Sequence, residues 1–164
     1  MQESKFAACL TALEASGSEF ILVGGLAAVL QGAPVQTYDV DILYARTAEN
    51  LARLLAVLTS IDAIFRIQPE RRLRPNLSHL SGTGQLNLLT KFGPLDLLAT
   101  IGNGFTFEDL LPHSRQMLIA DDVRIKVLSL DFIIALKEEL RSEKDLAALP
   151  ILRQTARELK KPQS

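Results

Sequence analysis

The chain has 164 residues, 48% apolar and 23% charged, an ordinary globular composition with length enough to bury one core. A formal net charge of −1 excludes a global pull toward nucleic acid or an anionic membrane, while leaving room for a local basic patch. The single cysteine, Cys9, excludes an internal disulfide and a cysteine-based zinc site, and suits a reducing cytoplasm.

In chain order, Phe6, Cys9, Leu10 and Leu13 recur at helical spacing, and Ser16-Gly17 supplies a stop. Residues 20–23 form a short continuous apolar run, the pattern of a buried strand. The run ends at Gly24-Gly25. Leu26, Val29 and Leu30 then follow at helical spacing as far as Gly32 and Pro34, giving a unit of strand, Gly-Gly turn and helix. Residues 38–44 read as a second strand, and Thr47 as the cap of a helix carrying Leu51, Leu54, Leu55 and Leu58. Over 61–75 the pattern weakens to a strand followed by a loop. Residues 85–90 and 94–100 read as strands joined at Lys91-Phe92-Gly93, and 116–120 and 123–127 as a hairpin turning at Asp121-Asp122. Ser129 caps a final helical region, which Pro150 is expected to interrupt before 151–159; the tail, 160–164, is expected to fray.

The whole predicts an α/β (α+β) fold, a mixed sheet with flanking helices and a C-terminal helical segment. No repeat, low-complexity tract or linker divides it, so one domain is expected over 1–164, with its core at 18–128 and C-terminal helices at 129–159. No signal peptide and no run of about 18 uncharged apolar residues is visible, so a cytoplasmic protein without a membrane span is expected.

Asp39 and Asp41 stand two apart in the second strand. They therefore share a face, with Val40 and Ile42 turned to the core. Carboxylates a few ångströms apart repel, so they share a proton or hold a cation. An oxygen-only site suits Mg²⁺ or Mn²⁺. By itself an Asp-x-Asp reads as two exposed residues on an open strand face. Aspartate is disfavoured in strands, however, and two of them soon after a Gly-Gly turn point to a cation. Gly24-Gly25 allows close backbone approach to a ligand, and the helix start offers N–H groups to phosphate; the alternative is a turn chosen for packing. There is neither a Gly-x-x-x-x-Gly-Lys-Ser/Thr loop nor a Gly-x-Gly-x-x-Gly after the first strand.

Together the segment FILVGGLAAVLQGAPVQTYDVDIL resembles the opening of the DNA polymerase beta-like nucleotidyltransferase superfamily: strand, Gly-Gly, helix, Gly, then Thr-x-Asp-x-Asp-Ile. The likeness is strongest to small bacterial members, including toxin-antitoxin components, and more distant to the head of CCA-adding enzymes. KFGPLDLL resembles the strand bearing that family's third carboxylate, here Asp96, and VLSLDFIIALKEELRSEKDLAAL resembles the helical tail of the small bacterial group. Residues 61–83 match nothing in it.

The resemblance implies the nucleotidyltransferase fold and metal-dependent transfer of a nucleoside monophosphate. The donor would be a nucleoside triphosphate such as ATP, the acceptor a hydroxyl on a protein, an RNA or a small molecule. Asp39 and Asp41 would carry Mg²⁺ (or Mn²⁺) bound to the triphosphate. Asp96 would complete a second metal site and orient or deprotonate the acceptor, the two ions lying about 3.5–4 Å apart. Gly24, Gly25 and the following helix start would hold the triphosphate, and Thr37 would steady the metal-bearing strand or touch phosphate. Gly25 stands where many active members carry a serine whose hydroxyl grips phosphate.

Lys137 continues the apolar stripe of Leu130, Ile133 and Ile134, so it is expected to meet a phosphate or one of Asp39, Asp41 and Asp96, or else to snorkel. Arg66, Arg71, Arg72 and Arg74 are expected in a solvated loop, with phosphate or nucleic-acid binding as the second reading; no interleaved aromatics offer a base-stacking platform. His79 is expected in a loop, His113 at a strand edge, Cys9 in the core, Gly82 and Gly84 in a turn, and Arg141 with Asp145 in an i, i+4 pair. Two rivals to an active nucleotidyltransferase remain. One is a weak or inactive nucleotide- or partner-binding module of the same fold, half of a toxin-antitoxin pair. The other, ranked last on length, is a glycosyltransferase using Asp39-Val40-Asp41. Convergence of all three carboxylates separates the first rival from the enzyme.

Overall fold

The computed structural model describes residues 2–161. Among them, seven strands form one mixed sheet in the order β3-β4-β5-β2-β1-β7-β6. All four residues of β1 (Phe20–Val23) are buried, as a central strand covered on both faces requires. It pairs antiparallel with β2 (Val40–Tyr44) and parallel with β7 (Val123–Leu128). On the far side of β2, β5 (Gly93–Leu98) runs parallel to it and forms a hairpin with β4 (Leu86–Thr90), and β3 (Ile64–Phe65) adds the edge. The other edge is β6 (Ser114–Ala120), whose hairpin with β7 turns at Asp121-Asp122 as expected, Asp121 taking a φ of 24°.

Cys9, Leu10 and Leu13 of α1 (Gln2–Ala15) enter the core, as do Leu51, Leu54, Val57 and Leu58 of α3 (Ala48–Ser60). The Thr47 hydroxyl caps α3 by accepting from the Asn50 N–H at 3.2 Å. Asn50 in turn accepts from the Glu19 N–H and donates to the carbonyls of Glu19 and Ala45, tying the start of β1 to the end of β2. The short helices α4 (Leu77–Ser81) and α5 (Phe107–Leu110) begin with capping boxes. The chain closes with α6 (Leu130–Leu140) and α7 (Glu143–Leu159), packed on each other.

Several expectations need correction. The C-terminal helical region breaks at Arg141, which turns left-handed (φ 53°), and Ser142 caps α7. Pro150 lies inside α7 without interrupting it. Both Pro150 and Leu146, four residues earlier, are exposed, so the carbonyl freed by the missing N–H faces water. The opposite side of α7 is held by buried Leu149, Leu152 and Ala156. The second strand begins at Val40, leaving Asp39 just before it. Gly24 and Gly25 are not a turn preceding a helix but the first two residues of α2 (Gly24–Leu30). His79 belongs to α4, where its Nδ1 accepts from the Asn76 N–H. His113 ends a 3-10 turn before β6, its ring 4.6 Å from that of Phe132. Of the tail, Lys160 and Lys161 close α7 in a turn, and 162–164 lie outside the described residues. No described helix is long and apolar enough to cross a membrane.

Candidate active site

Strand register brings the carboxylates together. Asp41 of β2 lies directly beside Asp96 of β5 in the parallel ladder, and Asp39 sits two residues back on the same face. Val40, Ile42, Leu95 and Leu97 point the other way and are buried. One carboxylate oxygen from each of Asp39, Asp41 and Asp96 lies within 4.8 Å of the other two. Asp96 is 6% exposed, whereas Asp39 opens to solvent.

Burial and crowding raise the proton affinity of Asp39 and Asp41. Burial, then the neighbouring Asp96 and Asp39, push Asp41 up to about 7. Burial and Asp96 also raise Asp39, against the favourable charges of Arg66 and Lys144. Three converging carboxylates, two of them reluctant to ionise, form an oxygen-only donor set that fits a divalent cation.

The glycines shape the approach to this cluster. Gly24 has φ +72°, and a Cβ there would collide with the Asp41 carboxylate and stand 3.1 Å from the Asp41 Cβ. A Cβ on Gly25 would lie 3.0 Å from the Thr37 Oγ1. That hydroxyl donates to the Asp39 carbonyl at 3.4 Å. The pair therefore lets the start of α2 pack against the acidic segment. With seven residues, α2 contributes only a weak dipole.

A cleft of about 560 Å³ opens on Gly24, Gly25, Thr37, Tyr38, Asp39 and Asp41 from one side and on Lys137, Lys144 and Asp145 of α6 and α7 from the other. Lys137 thus reaches the cleft, but its amine donates to Asp145 Oδ1 at 3.0 Å rather than to Asp39, Asp41 or Asp96. Ser142 and Lys137 hold the Asp145 carboxyl below its usual range. The expected Arg141–Asp145 pair does not form, because Arg141 is the left-handed residue ending α6.

Arg66 is the largest departure from the sequence reading. It is no solvated loop residue: Nη2 lies 2.5 Å from Asp96 Oδ1 and Nη1 lies 4.0 Å from Asp39 Oδ2. Its neighbours Arg72 and Arg74 both pair with Asp62, and Arg71 donates to Gln68. Lys144 was also missed. Its one sequence signal is its place in the first turn of the last helix, which only the packing of α7 brings to Asp39. A larger, mainly apolar cavity of about 630 Å³ lies beside the same 35–38 segment, between α1, α2 and Ile119, but its lining contains no acidic or basic side chain.

The fold recurs in solved structures. Lincosamide antibiotic adenylyltransferase LnuA, in its lincomycin-bound form, aligns over 93% of this chain and 96% of its own, with a TM-score of 0.60. The fold is the nucleotidyltransferase fold. A candidate nucleotidyltransferase from Thermotoga maritima aligns over 94% of this chain and 89% of its own, with a TM-score of 0.50. At 15% and 16% identity these likenesses establish the nucleotidyltransferase fold and leave the activity to the site. No protein-family model matches the sequence, and no curated protein sequence is significantly similar to it.

Proposed function

We propose that the chain transfers a nucleoside monophosphate from a nucleoside triphosphate to a hydroxyl acceptor with the help of a divalent cation. The observation that carries this reading is the convergence of Asp39, Asp41 and Asp96 beside a cleft whose far wall carries Lys137 and Lys144, on a nucleotidyltransferase fold. Asp39 and Asp41 would hold Mg²⁺ or Mn²⁺. When bound, such an ion supplies Lewis-acid stabilisation of the phosphates. The triphosphate enters the cleft between Gly24-Gly25 and the α6–α7 pair, where Lys137 and Lys144 counter its charge and Thr37 keeps the acidic segment in place. Asp96 accepts a hydrogen bond from the acceptor hydroxyl and aims its oxygen at the α-phosphorus. The new P–O bond forms as the bond to pyrophosphate breaks, and the hydroxyl proton passes to the cluster. Tyr38, 60% exposed at the cleft, offers a ring face to the base.

A small molecule is the favoured acceptor class. Arg72 and Arg74 share Asp62, and Arg66 is on Asp96, so fewer guanidinium groups are left for a run of phosphates. The structural neighbour bound to lincomycin is an adenylyltransferase, so ATP is the first donor to try. A second reading, a nucleotide-binding module without turnover and with a protein partner, has one observation in its favour: Arg66 is already on Asp96.

Pyrophosphate release from each of the four nucleoside triphosphates, with Mg²⁺ and a panel of hydroxyl-bearing small molecules, distinguishes the two. Release that requires an acceptor and vanishes in Asp39→Ala/Asp41→Ala supports transfer. Nucleotide binding with no release for any acceptor favours the module.

A further inference from the structure

We propose that Arg66 serves as the built-in second cation of the carboxylate cluster, so that the site takes one divalent ion, on its Asp39–Asp41 side, and not two. The inference rests on the transferase reading above and deepens it.

Asp96 is 6% exposed, and a carboxylate that deep needs a partner charge. Arg66 supplies it, with one guanidinium nitrogen on Asp96 and the other turned toward Asp39. Its position follows from strand register. Ile64 and Phe65 pair with Leu89 and Leu88, and the ladder continues as the Arg66 N–H donates to the Asn87 carbonyl at 3.0 Å. Asn87 lies beside Asp96, and Asp96 beside Asp41. Arg66, Asn87, Asp96 and Asp41 thus form one row across neighbouring strands. Spanning two strand spacings of about 4.8 Å each takes a side chain as long as arginine.

A guanidinium brings a fixed positive charge to the cluster, as a metal would. Its planar fork can donate to two carboxylates at once. Asp41, by contrast, makes no ion pair among the described residues and faces the cleft. Three ionised carboxylates and one arginine leave two net negative charges, the complement of a single Mg²⁺ or Mn²⁺.

Counting bound Mn²⁺ from the loss of its free-ion EPR signal tests this without any turnover. Wild type should bind one ion, and Arg66→Met should bind two. Should Arg66→Met melt abnormally, Arg66→Gln is read in its place. Two ions on wild type, or one on both wild type and the variant, would overturn the role of Arg66 and leave the transferase reading intact. No ion on wild type but one on the variant would make Arg66 a block rather than a replacement, and would also overturn the proposal. No ion on either protein would remove the metal-dependent reading, and this inference with it.

Discussion

Asp41 carries the heaviest electrostatic burden in the cluster, and its replacement separates two effects. Asp41→Asn keeps the shape and removes one metal ligand. Loss of a ligand should weaken Mn²⁺ affinity by at least the roughly 10–100-fold typical when supporting residues of metal sites are lost. Metal-free stability should move the other way. The folded-state pKa of Asp41 is raised from 3.8 to about 7, so its protonated form contributes stability that is complete below the lower value. That contribution is lost as pH rises through the higher one. The Tm of metal-free wild type should therefore fall between pH 4 and pH 7 relative to Asp41→Asn, and saturating Mn²⁺ should abolish the difference. Parallel slopes for the two proteins would contradict it. Gly24→Ala tests the backbone beside this carboxylate. A side chain at φ +72° costs about 1–2 kcal/mol, and the Cβ would also displace Asp41, so nucleotide affinity should drop by more than the Tm alone implies. Asp39 and Asp41 were legible in the sequence, because alternation puts them on one face and the Gly-Gly-to-Asp spacing is distinctive, whereas Asp96 rested on the resemblance of KFGPLDLL alone. Arg66 was not, since its partner lies 30 residues away and meets it only through the β3–β4–β5 register.

At the level of elements, Gln31 decides whether the cleft keeps both of its walls. It is 4% exposed and lies just past α2. Its Nε2 donates to the carbonyls of Ala27 and Leu128 at 2.9 Å each, and its Oε1 accepts from the Leu130 N–H at 3.0 Å. One side chain thus pins the helix of the Gly-Gly unit to the junction of β7 and α6. Gln31→Leu would leave those backbone groups buried and unpaired, costing about 3 kcal/mol. For a chain of this size that is a fall in Tm of about 6–12 °C. Nucleotide affinity should weaken as well, because Lys137 and Lys144 arrive on the helices that Gln31 anchors. An unchanged Tm would show that Gln31 is not such a clamp. The helices also mark where local rules stop being sufficient. Thr47 and Ser129 were readable as caps because capping is a local interaction. Pro150 was misread as a break because burial of Leu149, Leu152 and Ala156, which local sequence does not report, holds α7 through it.

Across the whole molecule, the sheet order sets β2 between β1 and β5, so the Gly-Gly segment and all three carboxylates meet at neighbouring strands. The later strands and helices then wrap back until α6 and α7 supply the basic wall of the cleft. Helical spacing picked out Lys137 but not Lys144, and where the wall stands depends on the parallel pairing of β7 with β1 across about a hundred residues. Calorimetric titration of nucleoside triphosphates, with and without Mg²⁺, on wild type and Asp39→Ala/Asp41→Ala tests the central claim most directly. One triphosphate should bind wild type only when Mg²⁺ is present, and that binding should disappear in the double variant while the fold persists. Equal binding with and without Mg²⁺, or no binding of any triphosphate to folded wild type, would contradict it.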